Sequence, residues 1–573
     1  MAGNNSIRYE DIPEALVNIL ERRGLEGKNQ VEGFLYPHLS DLPSPFLMKG
    51  MEEAVKCIVA ALDTNRNIVL WGDYDVDGTT GIALLISFFR CLGKEVYWHV
   101  PDRLTEGYGL NIQNLRKIGE TINDFSYLLI TVDCGIANSS EIVELQRWGA
   151  AAIITDHHRI SSDSLPPCIV INPNQPDCGF CGEHLAGVGV AFYLAAGLRS
   201  FLREHGYFEN QAVPNLKHFL SFAALGSIAD MVPLRRSNRV LVRAGLEVLG
   251  KTEFPGLRSL LETSGIADGK IFADDVGFQL GPKLNAAGRM ANAKLAVELL
   301  TCRGELEAKK MARKLDQLNT LRKSTCEKDL EKALALIDQF EVESTRCCIV
   351  NGDFHHGILG ILASRLMELF KTPTIVLSAI DIDGGDCGDN KVLKGSCRSP
   401  EHIDITNILH FCKDLLESYG GHKAAAGLSL KEGNLKEFKN KVYLAVKSSP
   451  VEKSITEVVP EDEISIQEIF SPSYLNILSL CEPFGQGNER PIFVDKEAVI
   501  IDVRQVGSRK EHLQISFRTN GRPCKGIGFH LGDKIKIARE GRGCEVVYSL
   551  APNRFNGNLR WQVLVLDLKI PNH

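Results

Sequence analysis

Between residues 52 and 230 short apolar runs alternate with amphipathic stretches: "NIVLWG", "GIALLISFFRCLG", "KEVYWHVP", "YLLITVDCG", "SSEIVELQRWG" and "AAIITDHH". Strand and helix in turn predict a doubly wound, mainly parallel sheet. From Cys302 to about Phe340 the chain has no proline, one early glycine and a helical apolar period, which predicts a long connecting helix. A second α/β unit follows, with "RCCIVNG", a helix around "ILGILASRLMELF", then "PTIVLS", "KGSCRS" and the glycine-rich "YGGHKAAAG". Beyond it "EAVIIDVRQVG", "HLQISFRT", "CEVVYSLAPN" and "WQVLVLDLKI" are β-rich runs separated by Gly and Asn turns, as a small β-barrel requires. The units expected are an N-terminal segment (1–50), a first α/β domain (51–300), the connecting helix (301–340), a second α/β domain (341–451) and a barrel (452–573). The N-terminal segment and "AIDIDGGDCGDN" are less regular and leave edges open there.

The apolar pattern ends in acid at several places. In "NIVLWGDYDVDGTTG", residues 67–81, Asp73, Asp75 and Asp77 stand two apart. On extended chain that spacing puts three carboxylates on one face, where they repel unless a cation, a proton or a lysine compensates. Asp133 closes "LLITVDCG", and Asp156, His157 and His158 close "AAIITDHH". The carboxyl ends of parallel strands face one crevice, where ligands bind. Asp230 closes "FLSFAALGSIAD", a helix end expected to face the same crevice. A single Asp after a strand is ordinarily a helix N-cap or turn residue; the recurrence argues for joint use. Hard oxygen donors with one or two imidazoles suit Mn²⁺ or Mg²⁺ better than Zn²⁺. Two such ions about 3.5 to 4 Å apart, bridged by one carboxylate, would form an in-line hydrolase site for phosphate esters.

The 573 residues are 44% hydrophobic and 24% charged, which excludes a disordered chain and allows roughly three or four folding units. No apolar run approaches eighteen residues and the start "MAGNNSIRYE" is polar, so neither a membrane span nor a secretory signal is expected, and the expected location is cytoplasmic. Sixteen scattered cysteines fit reduced thiols. The net charge of -7 argues against a generally basic surface, yet residues 504–544 hold ten Lys or Arg against three Asp or Glu. That stretch is either a local nucleic-acid patch or a solvated barrel face. "GLEVLGKT", residues 245–252, satisfies the written P-loop pattern, but "RVLVRAGLEVLG" reads as helix and "KTEFPG" breaks at Pro255, so the strand–loop–helix context is missing. "CGFCGEH", with Cys178, Cys181 and His184, lacks a second ligand pair at finger spacing and reads as a loop.

"DYDVDG", "DCG", "DHH" and "GSIADMVPL" resemble the four motifs of the DHH phosphoesterases. "PDRLTEGYGLN", "LAGVGVAF", "GPKLNAAGRM", "GILGILASRL", "KGSCRS", "GGHKAAAG" and "PFGQGNERPIF" are similar to the bacterial single-strand-specific exonucleases of that family along nearly the whole chain. The resemblance implies an α/β fold, with a parallel-sheet DHH domain and a DHH-associated domain joined by a long helix around a groove, plus a C-terminal OB-like barrel. It implies a processive 5′ to 3′ exonuclease for single-stranded DNA, using two Mn²⁺ or Mg²⁺ ions, in recombination and DNA repair. Carried onto this chain, Asp75, Asp77, Asp133, His157 and Asp230 become metal ligands with Asp133 as bridge. Asp73 and Asp156 support them or substitute for them, and His158 meets the scissile phosphate.

For the phosphate and the strand the candidates are Arg103, Tyr108, Asn285, Arg289, Ser396, Arg398, and Gly421, His422 and Lys423 on a glycine-rich turn. Arg365 is a further candidate, with packing or pairing to an acid as its alternative, and Phe517, Phe529 and Phe555 are either stacking platforms or core. The partners implied are single-stranded DNA with a 5′ end, a single-strand-binding protein and a RecQ-type helicase, with the enzyme as a monomer. Two rivals remain: a phosphodiesterase of the same family for short oligonucleotides or cyclic dinucleotides, and a non-catalytic scaffold, which the full acidic set argues against.

Overall fold

The computed structural model describes residues 8–103, 105–160, 165–180, 182–266, 269–380, 391–449, 458–507, 509–519, 523–540, 542–555 and 558–570. Five parallel strands, β1 (Ile68–Gly72), β2 (Tyr97–His99), β3 (Leu128–Val132), β4 (Ala151–Thr155) and β5 (Ile169–Ile171), form a sheet in the order β2-β1-β3-β4-β5. β1 and β3 are continuous apolar runs because both faces are covered. Ile68 and Leu70 point into one core with the helices Met51–Asp63, Val76–Cys91 and Gly187–Glu204. Val69 and Trp71 point into the other with Ile112–Ile122 and Ser139–Arg147. From β1 the chain moves outward to β2 and then returns to β3, so a topological switch falls between β1 and β3, the place where such sheets open a crevice.

The helix Glu305–Leu336, 32 residues and about 48 Å long, leads to the second domain. There β6 (Cys348–Asn351), β7 (Thr374–Ala379), β8 (Val392–Arg398), β9 (Leu416–His422) and β10 (Ala425–Lys431) lie in the order β6-β7-β8-β10-β9, with only β6 and β7 parallel. Ser396 and Arg398 are on β8, and one detail differs from the sequence reading: "YGGH" is strand, with the turn at Lys423–Ala424. Gly421 is needed for closeness to β10: its φ is +148°, and a Cβ there would stand 2.4 Å from the Ala425 carbonyl oxygen.

In the C-terminal part β11 (Asp462–Glu463) pairs with β12 (Phe493–Val506). The order β12, β13 (His512–Phe517), β14 (Cys524–Gly528), β16 (Asn558–Lys569), β15 (Arg542–Phe555) then closes back onto β12 as a five-stranded barrel. Phe517, 1% exposed, is core and not a platform. The N-terminal helices Glu14–Arg22 and Gly27–Leu35 place Leu16, Ile19, Val31 and Leu35 in the same apolar cluster as Phe493 and Tyr548, so the two ends of the chain share a core. No helix among the described residues is long and apolar enough to cross a membrane, and the described cysteines are free thiols.

The P-loop-like stretch begins in the helix Arg236–Leu249 and ends just past it, with no strand before it among the described residues. Gly245 serves packing: a Cβ there would stand 2.2 Å from the Leu220 carbonyl oxygen. The same helix carries Arg239, buried over the Phe34 ring at 3.6 Å, which donates to the carbonyls of Phe34 (2.9 Å), Cys481 (3.0 Å), Leu480 (3.1 Å) and Glu482 (3.1 Å). One guanidinium thus joins the first domain, the N-terminal helices and the approach to the barrel. Arg239→Ala would leave the Phe34 carbonyl without its donor, whereas Leu480 and Glu482 keep Arg243 and Cys481 keeps Asn488, and the lost bonds and ring contact are expected to cost about 2 kcal/mol. The check is a lowered melting temperature together with faster proteolysis of the N-terminal helices; wild-type values for both would contradict this role.

Candidate metal centre and phosphate groove

The three acids after β1 are not on extended chain, because a helix begins at Val76. Asp73 is at the strand end, Asp75 is the helix N-cap with Oδ1 accepting the Gly78 N–H at 3.0 Å, and Asp77 is in the first turn. They still converge on the switch-point crevice. Asp77 is gripped by the N-terminus of the helix Gly187–Glu204, whose Gly187 and Val188 N–H groups donate to its two oxygens at 2.5 and 2.8 Å. A side chain at Gly187 would collide with Asp133, at 2.5 Å from its Cβ. The clamp was present in the sequence as "LAGVGVAF", a glycine pair opening an apolar helix, but nothing there pointed to Asp77 as its target.

Asp133 has φ +62°, a strained conformation for a non-glycine residue, and its N–H is held by the Thr155 carbonyl at 2.9 Å. It faces His157, whose Nε2 lies 3.0 Å from Asp133 Oδ1, 3.7 Å from Asp230 Oδ2 and 3.8 Å from Asp77 Oδ2. Asp230 caps the helix Leu220–Ala229. Asp156 plays a different part. Its Oδ1 accepts the N–H groups of His157 (2.7 Å) and His158 (3.1 Å) and meets His158 Nδ1 at 2.7 Å, while Oδ2 accepts the Ile136 N–H at 3.0 Å. The His pair is fixed from behind by Asn172 and Asn174, which donate to the His158 and His157 carbonyls at 3.0 and 2.5 Å. These asparagines were missed in the sequence; "VINPNQPD" at the end of β5 was the available signal.

Three buried atoms in this cluster have no hydrogen-bond partner: Asp73 Oδ1, Asp133 Oδ1 and His157 Nε2. Ligand atoms fall into three groups, each within 4.8 Å: Asp73, Asp75 and Asp133; Asp77, His157 and Asp230; Asp133, His157 and His158. Asp133 and His157 each belong to two groups, and the mainly carboxylate donor set fits a hard divalent cation. Burial, followed by mutual repulsion, pushes the carboxyls of Asp73, Asp77 and Asp133 well above their ordinary values. Burial and then the Asp75 charge push Asp230 to about 7. Burial, then His158, lowers His157 to about 4. For His158 burial acts downward, but the hydrogen bond and charge of Asp156 raise it overall.

A groove of about 1180 Å³ adjoins the cluster, lined by Tyr74, Arg103 and Tyr108 from the first domain and by Ser396, Arg398 and Gly421 among others from the second. Arg103 lies over the Tyr74 ring at 5.0 Å, and the Tyr108 hydroxyl is 3.3 Å from His158 Nδ1. Arg398 donates to Ser396 Oγ (3.2 Å), and the half-buried Arg289 to the Gly357 carbonyl (3.3 Å). Burial and then the charges of Arg103, Arg322 and Arg398 lower Arg289 to about 9, so four guanidiniums share one region. Arg322, on the connecting helix, was not foreseen; it donates to Asn319 Oδ1 at 3.1 Å.

The other candidates disperse. His422 ends β9 outside the groove lining, and burial, then the charges of His158 and Arg159, lowers it. Asn285 is half-buried on the helix of Arg289, Gly281–Met290, outside the groove lining. Arg365 pairs with Glu327 at 2.5 Å, the alternative role foreseen for it. Phe529 is 55% exposed against His512, whereas the Phe555 side chain and Cys181 lie outside the described residues.

A switch-point crevice with an orphaned carboxylate–histidine cluster, beside an arginine-rich groove, defines a metal-centred phosphoesterase. The DHH family N-terminal domain model matches residues 67–226, the DHHA1 domain model 344–448 and the RecJ OB domain model 461–567. The single-stranded-DNA-specific exonuclease RecJ of Escherichia coli is 34% identical over 97% of this chain and 96% of its own. That of Bacillus subtilis is 33% identical over 98% of this chain and 68% of its own. The crystal structure of Thermus thermophilus RecJ in complex with Mn²⁺ superposes with a TM-score of 0.79 at 30% identity, covering 98% of this chain and 77% of that one. The chain belongs to the RecJ family.

The raised carboxyls set a pH signature. They hold protons more tightly folded than unfolded, so their stabilisation is complete below the unfolded value, near 4, and is lost as pH rises through the folded value, about 7 for Asp230. Metal-free protein should therefore melt lower at pH 8 than at pH 5.5, Asp230→Asn should flatten that slope, and Mn²⁺ should restore stability at pH 8. A steeper fall in the variant, or no response to Mn²⁺, would contradict this electrostatic picture.

Proposed function

We propose that this chain is a metal-dependent exonuclease that hydrolyses single-stranded DNA from its 5′ end, serving recombination and repair. The observation that carries the reading is the set of buried atoms on Asp73, Asp133 and His157 that make no hydrogen bond, within one carboxylate–histidine cluster beside the guanidinium groove. Similarity at 33–34% identity to exonucleases of this specificity supports it. Asp75, Asp77, Asp133, His157 and Asp230 would hold two Mn²⁺ or Mg²⁺ ions, Asp133 belonging to two of the ligand groups, with Asp73 in support. When bound, the ions supply Lewis acidity and an activated water for in-line displacement.

The remaining residues position and polarise. Asp156 occupies Nδ1 of His158 and favours its cationic form, so the ring offers Nε2–H to a phosphate oxygen. Arg103, Tyr108, Ser396, Arg398 and Gly421 receive the terminal phosphate and its nucleotide, with Arg289 and His422 behind them and Arg322 adding charge from the connecting helix. A phosphate anchored there accounts for end preference, since an internal phosphate carries one less charge to place among the guanidiniums. The barrel, with Phe529 and the basic stretch 504–544, grips the strand farther on. In this reading the enzyme is a cytoplasmic monomer that takes strands opened by a RecQ-type helicase and coated by single-strand-binding protein.

With Mn²⁺ or Mg²⁺ the protein is expected to shorten 5′-phosphorylated single strands from the 5′ end and to spare duplex. Asp77→Ala and Asp133→Ala should each lose more than the roughly 100-fold typical of an outer partner of a metal site. Arg398→Ala should reduce the preference for phosphate over hydroxyl ends by about tenfold. Intact long strands with rapid clearance of dinucleotides would replace this reading with a short-oligonucleotide phosphodiesterase.

A further inference from the structure

A separate cavity of about 340 Å³, within the size range of ligand sites, is lined by Met231, Val232, Leu234, Phe278, Phe484 and Arg490 among others. It starts one residue from the metal cluster, because Met231 directly follows Asp230. Its other wall, Phe484 and Arg490, belongs to the segment that enters β12 of the barrel. It shares no lining residue with the arginine groove. The cluster therefore has a cationic groove on one flank and an apolar cavity on another.

Two side chains here are exposed against their chemistry: Met231 is 68% and Phe278 79% exposed. Met231 has φ +58° where the helix Leu220–Ala229 ends, a place that glycine or asparagine fills without strain. Phe278 lies in a π-helical turn, Val276–Leu280, a local widening frequent at functional sites. Beneath them Val232 and Leu234 are buried. Arg490 is neutralised by Asp274 at 2.8 Å and Glu482 at 3.2 Å and lies over the Phe484 ring at 4.9 Å. With its one guanidinium already paired, the cavity suits a flat apolar face rather than a phosphate.

We propose that Phe278 and Met231 clamp a nucleobase of the single strand on the 3′ side of the bond being cut, between the metal centre and the barrel. This rests on the exonuclease reading above. With the 5′ phosphate held in the arginine groove, the rest of the strand leaves the metal centre by another flank, and the apolar cavity continues from Asp230 to the barrel segment. Every base has a π-face, so the grip is indifferent to sequence, and a thioether beside an aromatic ring is a favourable neighbour.

The test uses Mn²⁺-loaded enzyme and 5′-phosphorylated oligonucleotides carrying one abasic site at successive positions from the 5′ end. Wild type should lose about tenfold in kcat/KM, the weight of one stacked base, when the abasic site occupies one particular position 3′ of the scissile bond. Phe278→Ala should show that loss on intact DNA, mainly in KM, with no further loss on the abasic strand, and Phe278→Trp should restore position-specific sensitivity. Normal cleavage with no sensitive position, or losses from Phe278→Ala and the abasic site that multiply, would overturn the clamp alone. Failure of wild type to cut any single strand would overturn both readings.

Discussion

The structure is organised around the cost of gathering negative charge in a buried crevice. Asp73, Asp77 and Asp133 are buried, and Asp230 is close by. Desolvation and mutual repulsion both disfavour their ionised forms. The protein offsets part of this cost with its own dipoles: the Gly187–Glu204 helix N-terminus holds Asp77, the N-cap bond holds Asp75, and four donors hold Asp156. What is left over, the bare oxygens of Asp73 and Asp133 beside the bare nitrogen of His157, calls for a divalent cation.

That arrangement depends on the fold in a specific way. The switch point between β1 and β3 brings Asp73 and Asp133 side by side, and β4 next to β3 adds the histidines. The glycine at 187 then lets a helix N-terminus close over the acids. The second domain contributes Ser396 and Arg398 on β8 and Gly421 on β9, completing the groove from the other side. Arg239, which joins three parts of the chain through four carbonyls and the Phe34 ring, helps hold the approach to the barrel on the first domain.

The parallel sheet, the connecting helix and the barrel were legible because each rests on local periodicity: doubly buried strands read as apolar runs, and the helix as an unbroken 3.6-residue pattern. The acids and histidines were legible because strand ends punctuate those runs. The helical turn between Asp73 and Asp77 was not, since a capping Asp and a strand Asp look alike at two-residue spacing. Nor were Asn172, Asn174 and Arg322, whose roles come from tertiary neighbours more than ten residues away. The same holds for the N-terminal helices, whose apolar faces are completed by the barrel over 400 residues later.

The most direct measurement is the anomalous difference map of a crystal soaked in Mn²⁺. Two peaks flanking Asp133, one toward Asp75 and one toward His157 and Asp230, are the expected result. A map with no peak in this crevice, from a crystal whose soak brings Mn²⁺ to other sites, would contradict the account at its centre.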